Sequence, residues 1–153
     1  MRIFLYGGSF DPVHNGHEKI IKNVMSLCDK LIIIPANKSP HKTKDTIASA
    51  NHRYSMLNLL FQSNKKIDII KYELDKKEPA FTYETIQFIK SKYVKNNDFT
   101  FVLGYDLVNT LSNWYKINEI KKEVEFIAFH RKNYTTKGLD DFNIKLIKDF
   151  DIS

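Results

Sequence analysis

The chain has 153 residues, 42% of them hydrophobic and 27% charged, with a formal net charge of +6. That is enough for one domain with a buried core, and nothing in it has the length of a membrane-crossing apolar run. The start MRIFLYGGSF lacks the form of a signal peptide, and the single cysteine, Cys28, excludes an internal disulfide and a cysteine-based zinc site, so a reduced cytoplasmic setting is expected.

Arg2 to Tyr6 is a short apolar run bounded by glycines and reads as a buried strand. His17 to Cys28 carries Ile20, Ile21, Val24, Met25 and Leu27 at helical spacing. Leu31 to Pro35 is a second buried strand, stopped by proline, and Ser39 to Ser49 is a long lysine-rich loop. Asn51 to Phe61 is a helix, and Lys66 to Glu73 a third strand. Thr82 suits the N-cap of a helix from Tyr83 to Val94. Phe99 to Gly104 is the fourth strand, Asp106–Ser112 and Lys116–Lys122 are short helical pieces, and Glu125 to His130 is the fifth strand. Asn143 to Phe150 fits either a sixth strand or a short helix.

This alternation predicts an α/β fold: a Rossmann-like, doubly wound parallel sheet of about five strands, with helices on both faces. Ligands of such sheets sit beyond the carboxyl ends of the strands, near the reversal in strand order. In this chain the unusual residues cluster there: GGSFDPVHNGH after the first strand, PANKSPHK after the second, FTYET beyond the third, GYD and SNWY after the fourth, and His130-Arg131 after the fifth. One shared cleft is expected.

The first of these stretches has the chemistry of a phosphate site. Gly7 and Gly8 permit close backbone approach and positive φ, Ser9 adds a hydroxyl, and Asp11-Pro12 sets a turn. Gly16 clears space before His17, which opens a helix whose free N–H groups favour an anion; His14 and His17 can both aim imidazole N–H donors at it. Neither a Walker loop nor the dinucleotide fingerprint fits the spacing. Two alternatives stand beside this: surface histidines in a turn, or a metal pair, for which no third ligand lies nearby and the zincin spacing is absent. The net positive charge, carried mostly by lysine with Arg2, Arg53 and Arg131 the only arginines, reads as a solvated surface or as a field drawing in phosphate-bearing anions. Clustered arginines and aromatic platforms are missing, so neither nucleic acid nor membrane is an expected partner.

GGSFDPVHNGH resembles the first signature of the nucleotidyltransferases that carry a His-x-Gly-His motif, and the further details resemble bacterial nicotinate-nucleotide adenylyltransferase. Pro40-His41-Lys42, the helix start Asn51-His52-Arg53-Tyr54-Ser55-Met56, Phe81-Thr82-Tyr83-Glu84-Thr85, Gly104-Tyr105-Asp106, Trp114-Tyr115 and Arg131-Lys132-Asn133-Tyr134 follow that family's order. The resemblance implies adenylyl transfer from ATP to nicotinate mononucleotide, giving nicotinate adenine dinucleotide and pyrophosphate, with Mg²⁺ assisting ATP. It implies His14, His17 and Lys42 as catalytic donors. It places Gly7, Gly8, Ser9, Phe10, Gly16, Gly104, Asp106 and Ser153 on ATP and its phosphates. It places Lys42, Phe81, Thr82, Thr85, Trp114, Tyr115 and Arg131 on nicotinate mononucleotide, with Trp114 stacked on the ring and backbone amides around Thr82 and Tyr115 holding its carboxylate. Asp106 would bind ribose hydroxyls. No resident metal site is implied, and a homo-oligomer is left open.

Two departures from the family pattern stand out. Phe81 replaces a tyrosine, losing a hydroxyl but keeping the ring. The family's carboxyl-terminal Ile-Ser-x-Thr/Ser-x-Ile-Arg motif is matched only by Ile152-Ser153, so the resemblance implies a single domain over 1–153 that is shortened at its end and lacks part of the ATP clamp. Pantetheine-phosphate adenylyltransferase, which shares the opening signature, and a non-catalytic nucleotide-binding domain are the alternatives.

Overall fold

The computed structural model describes residues 1–37, 48–129 and 142–147, except for the side chains of Tyr105 and Asp106. Strands β1 (Arg2–Gly8), β2 (Lys30–Pro35), β3 (Ile67–Ile69), β4 (Asp98–Leu103), β5 (Glu125–Phe129) and β6 (Lys145–Ile147) form one sheet in the order β3-β2-β1-β4-β5-β6. Every neighbouring pair is parallel. The helices are α1 (Asn15–Val24), α2 (Ala50–Phe61), α3 (Thr82–Lys92), α4 (Tyr105–Val108) and α5 (Ile117–Glu123), with a 3-10 turn at Leu111–Asn113. The Rossmann-like reading is thus right in class, and the segment left open near Asn143 contributes a sixth strand. No helix among the described residues is long and apolar enough to cross a membrane.

Strand periodicity explains the two faces. Alternate side chains of a strand point to opposite sides. Ile3 and Leu5 of β1, with Ile32 and Ile34 of β2, pack with Ile86 and Ile89 of α3, Val108 of α4 and Ile120 of α5. Phe4 and Tyr6, with Leu31 and Ile33, pack with Ile20, Ile21 and Val24 of α1 and Leu57 of α2. Both sides of β1 and β2 are therefore covered, which is why these strands read as continuous apolar runs.

Several boundaries move for physical reasons. The third strand stops at Ile69, and Glu73 lies in a turn closed by Asp75 N–H donating to the Lys71 carbonyl (2.9 Å). Helix α1 ends at Val24, with Leu27 and Cys28 packing from the following turn rather than from the helix. Phe81, not Thr82, is the N-cap of α3, and it makes no side-chain capping bond.

Strand order reverses at β1, whose neighbours β2 and β4 lead to opposite edges. The β1–β2 ladder runs on to Gly8↔Pro35, whereas the β1–β4 ladder ends at Tyr6↔Val102. The crevice beyond the carboxyl ends of β1 and β4 opens at Gly7, the location favoured for ligands in such sheets.

Candidate active site

A cavity of about 310 Å³ occupies that crevice. Of the residues expected at a site, Gly7, Gly8, Ser9, Phe10, His14, His17, Thr82, Gly104 and Trp114 line it. Gly16, Phe81, Thr85 and Tyr115 do not line it, and Lys42, Arg131, Ser153 and the side chain of Asp106 lie outside the described residues. The Pro40-His41 pair is outside them as well.

The histidines hold the start of α1. His14 is its N-cap, so His17 sits in the first turn instead of opening the helix. The His14 Nδ1 accepts the Gly16 N–H (3.0 Å), and the His17 Nδ1 accepts the His14 N–H (3.1 Å). This is a capping box built from imidazoles in place of the usual hydroxyl and carboxylate. With each Nδ1 used as an acceptor, a neutral ring carries its proton on Nε2, so the donor of that tautomer is Nε2–H. The two rings stack with centroids 3.8 Å apart, and Phe10 packs on His17 at 4.8 Å.

The loop backbone differs from expectation. Neither Gly7 nor Gly8 adopts positive φ; both still belong to β1, and it is Phe10 that has φ 49°. Phe10 is 1% exposed and meets Tyr6 edge-on at 5.4 Å. Its ring supports His17 from the core and is not an exposed phosphate contact. A left-handed bulky residue costs about 1–3 kcal/mol and persists only where burial over-determines it. A Cβ at Gly7 would meet Phe101 at an ordinary 3.5 Å, so packing alone does not require glycine there.

Arg53 is the residue whose role sequence reasoning missed. It is 0% exposed on α2. Its Nη1 donates to the carbonyls of Ser9 (2.8 Å) and Ala36 (2.5 Å), its Nε to Ala48 (3.1 Å) and its Nη2 to Asn37 (3.4 Å). One guanidinium thus joins the loops after β1 and β2 to the segment leading into α2. Asp11 completes the joint by accepting the Ala48 N–H at 2.9 Å. Burial pulls the Arg53 guanidinium below its ordinary value, and the Asp11 charge acts against that. The signal was an arginine in an otherwise lysine-rich chain.

At the other end of the cavity, Trp114 is 6% exposed, donates Nε1–H to Thr110 Oγ1 (2.9 Å) and stands edge-on to Phe101 and Phe126. Phe81 and Tyr115 are exposed and meet each other at 5.1 Å, with Lys116 over the Tyr115 ring. Thr85 is buried, and its hydroxyl donates to Glu73 Oε2 (2.7 Å), so it is withdrawn from direct substrate contact through that hydroxyl.

Glu73 itself lines the cavity. Burial pushes its carboxyl up to about 7, against the Thr85 hydrogen bond and the Lys76 charge. An acid whose folded value is raised binds its proton more tightly when folded. Its stabilising share is therefore complete below about 4.5 and is lost as pH rises to about 7. The shift corresponds to at most roughly 3 kcal/mol. Urea unfolding across that window should show stability falling with pH in the native chain and a flatter profile in Glu73→Gln; equal slopes would exclude Glu73 as the source.

The fold is an α/β parallel sheet whose crevice holds a capped helix start and paired imidazoles, and residues 5–152 match the cytidylyltransferase-like family, which makes the class a nucleotidyltransferase. The probable nicotinate-nucleotide adenylyltransferase of Aliarcobacter butzleri (strain RM4018) is 36% identical over 100% of this chain and 84% of its own length. The nicotinate-nucleotide adenylyltransferase of Bacillus subtilis (strain 168) is 29% identical over 99% of this chain and 81% of its own. Among solved structures, Plasmodium falciparum nicotinic acid mononucleotide adenylyltransferase complexed with NaAD superposes with a TM-score of 0.76 at 25% identity, covering 95% of this chain and 74% of that one. The chain belongs, within the cytidylyltransferase-like family, to the nicotinate-nucleotide adenylyltransferases.

Proposed function

We infer that the chain transfers the adenylyl group of ATP to nicotinate mononucleotide, releasing nicotinate adenine dinucleotide and pyrophosphate. The observation that carries this reading is that one cavity is lined both by the α1 phosphate loop and by Thr82 and Trp114. A phosphate-binding helix start and an apolar aromatic wall share a single space, which suits two nucleotides meeting end to end.

The chemistry asks little of the protein beyond placement. A phosphate oxygen of nicotinate mononucleotide forms a bond to the α-phosphorus of ATP, and the bond from that phosphorus to the bridging oxygen of pyrophosphate breaks. The nucleophile is already an anion near neutrality, so no side chain has to remove a proton. Rate comes from aligning two anions and neutralising charge as it develops. We assign His14 and His17 to the reacting phosphates through Nε2–H, with the N-terminal amides of α1 beside them. Gly7, Gly8 and Ser9 let the ATP chain lie against backbone, and we assign Gly104 and Asp106 to its adenosine half. Lys42 and Arg131 add charge to the mononucleotide phosphate, and Ser153 would contact ATP.

The nicotinate carboxylate suits the start of α3. That helix lacks a side-chain cap at Phe81, and its first residue, Thr82, lines the cavity. An anionic ring substituent would supply the missing acceptor. Trp114 forms the wall against which the ring lies, with Phe81 and Tyr115 at the mouth. Mg²⁺, entering with ATP as part of the substrate, would supply positive charge to the triphosphate oxygens.

The test is pyrophosphate release with product identification. ATP plus nicotinate mononucleotide should give dinucleotide and pyrophosphate in equal amounts, while phosphopantetheine as acceptor, or CTP as donor, should give neither. Turnover with phosphopantetheine alone would replace this reading with the pantetheine one. Tight nucleotide binding without turnover would replace it with a non-catalytic domain.

A further inference from the structure

The mononucleotide reading leaves one residue unexplained: a carboxyl, Glu73, in a cavity meant for anions. The turn after β3 carries it there, and Thr85 anchors it by a 2.7 Å hydrogen bond to Oε2. Thr85 lies in the first turns of α3, and its hydroxyl also approaches the Phe81 carbonyl at 3.4 Å. Glu73 is therefore held beside the same helix start that suits the substrate's ring carboxylate. An ionised Glu73 beside that helix start would repel a substrate carboxylate brought to it.

The surroundings offer Glu73 little compensation. Lys76, on the same turn, is drawn away to Glu84 of α3 (3.2 Å) and lies over the Tyr72 ring. Arg53 of α2 spends its donors on loop carbonyls. From the β1–α1 loop, Asp11, His14 and His17 line the cavity with it, and Lys116 before α5 lies over Tyr83 and Tyr115 at the outer edge.

We propose that Glu73 sets the choice between a ring carboxylate and a ring carboxamide: neutral, it leaves the α3 amides to the substrate's carboxylate, and ionised, it opposes that carboxylate and moves the preference toward the amide. This rests on the mononucleotide reading. The carboxyl, pushed up to about 7 by burial, changes state close to neutrality, so the preference is pH-dependent over an accessible range.

The experiment compares nicotinate mononucleotide with nicotinamide mononucleotide, each binding to the full chain, followed by the fluorescence of Trp114, the only tryptophan. Both ligands carry the same phosphate and ribose, so contributions common to the two cancel in the ratio of their affinities. Between about pH 6 and about pH 8.5 the preference for the acid should fall about tenfold in the native chain. Glu73→Gln, which keeps the Thr85 partner without the charge, should hold the low-pH preference at both values. Thr85→Val should move the midpoint to higher pH, because the carboxylate loses the hydroxyl that stabilises it. A constant ratio in the native chain, or a drift that survives in Glu73→Gln, overturns the proposal alone. Absence of nicotinate mononucleotide binding at both pH values overturns the functional reading and this proposal together.

Discussion

Replacing His17 with alanine is expected to lower kcat by about 10²–10³-fold, the effect of removing one preorganised donor from a charge-developing centre. His17 has two jobs, and a second substitution separates them. Its Nδ1 accepts the His14 N–H in the capping box, and its Nε2–H is the donor assigned to phosphate. Alanine removes both and should also cost about 1 kcal/mol of stability, as lost caps do. Glutamine at this position of a capping box can still accept the N-cap N–H. His17→Gln should therefore unfold close to the native chain yet remain as slow as His17→Ala. Single-turnover pyrophosphate release beside thermal unfolding checks both halves; a Gln variant with native kcat would remove His17 from the chemistry.

The largest structural loss is expected at Arg53. Arg53→Met keeps the length and burial but leaves the carbonyls of Ser9, Ala36, Asn37 and Ala48 without their guanidinium donor. Each buried acceptor left unpaired costs about 1–3 kcal/mol, and some of these will be rewetted, so a net loss of roughly 3–5 kcal/mol is expected. Domains of this size are stable by only about 5–15 kcal/mol, so the variant should unfold at a markedly lower urea concentration. Arg53→Lys should recover only part of the loss, because an ammonium has three donors on one atom and cannot span separate loops as a planar fork does. The folded fraction of either variant should show a raised KM for ATP, since Ser9 is no longer tied to the β2 loop. A Met variant with native urea midpoint and KM would show that the joint is dispensable.

The histidines of the first loop were legible because their bonds are local. His14 and His17 act through bonds to their own helix start, over separations of two and three residues, and spacing alone reveals such geometry. The strands themselves were legible for a similar reason, since buried parallel strands are continuous apolar runs, although β3 ends at Ile69 and not at Glu73. Arg53 and Glu73 were not legible as site residues. Arg53 reaches a carbonyl 44 positions away, and carbonyls carry no side-chain signature. Glu73 was read as part of a strand, and only the early end of β3 turns it into the cavity. Thr85 looked like a substrate contact by motif position, whereas packing buries it against Glu73.

What the sequence determined by itself is the alternation of apolar strands and helices, hence the parallel sheet, and the helix start that GGSFDPVHNGH builds from its own histidines. Both depend on contacts within a few residues of chain. What only the tertiary structure decided is where the sheet's order reverses, that β1 outruns β4 and opens the crevice at Gly7, and that a buried guanidinium and a cavity-facing carboxyl frame it. Those features depend on register and on partners brought together from distant segments, and a linear pattern does not carry the geometry of that meeting.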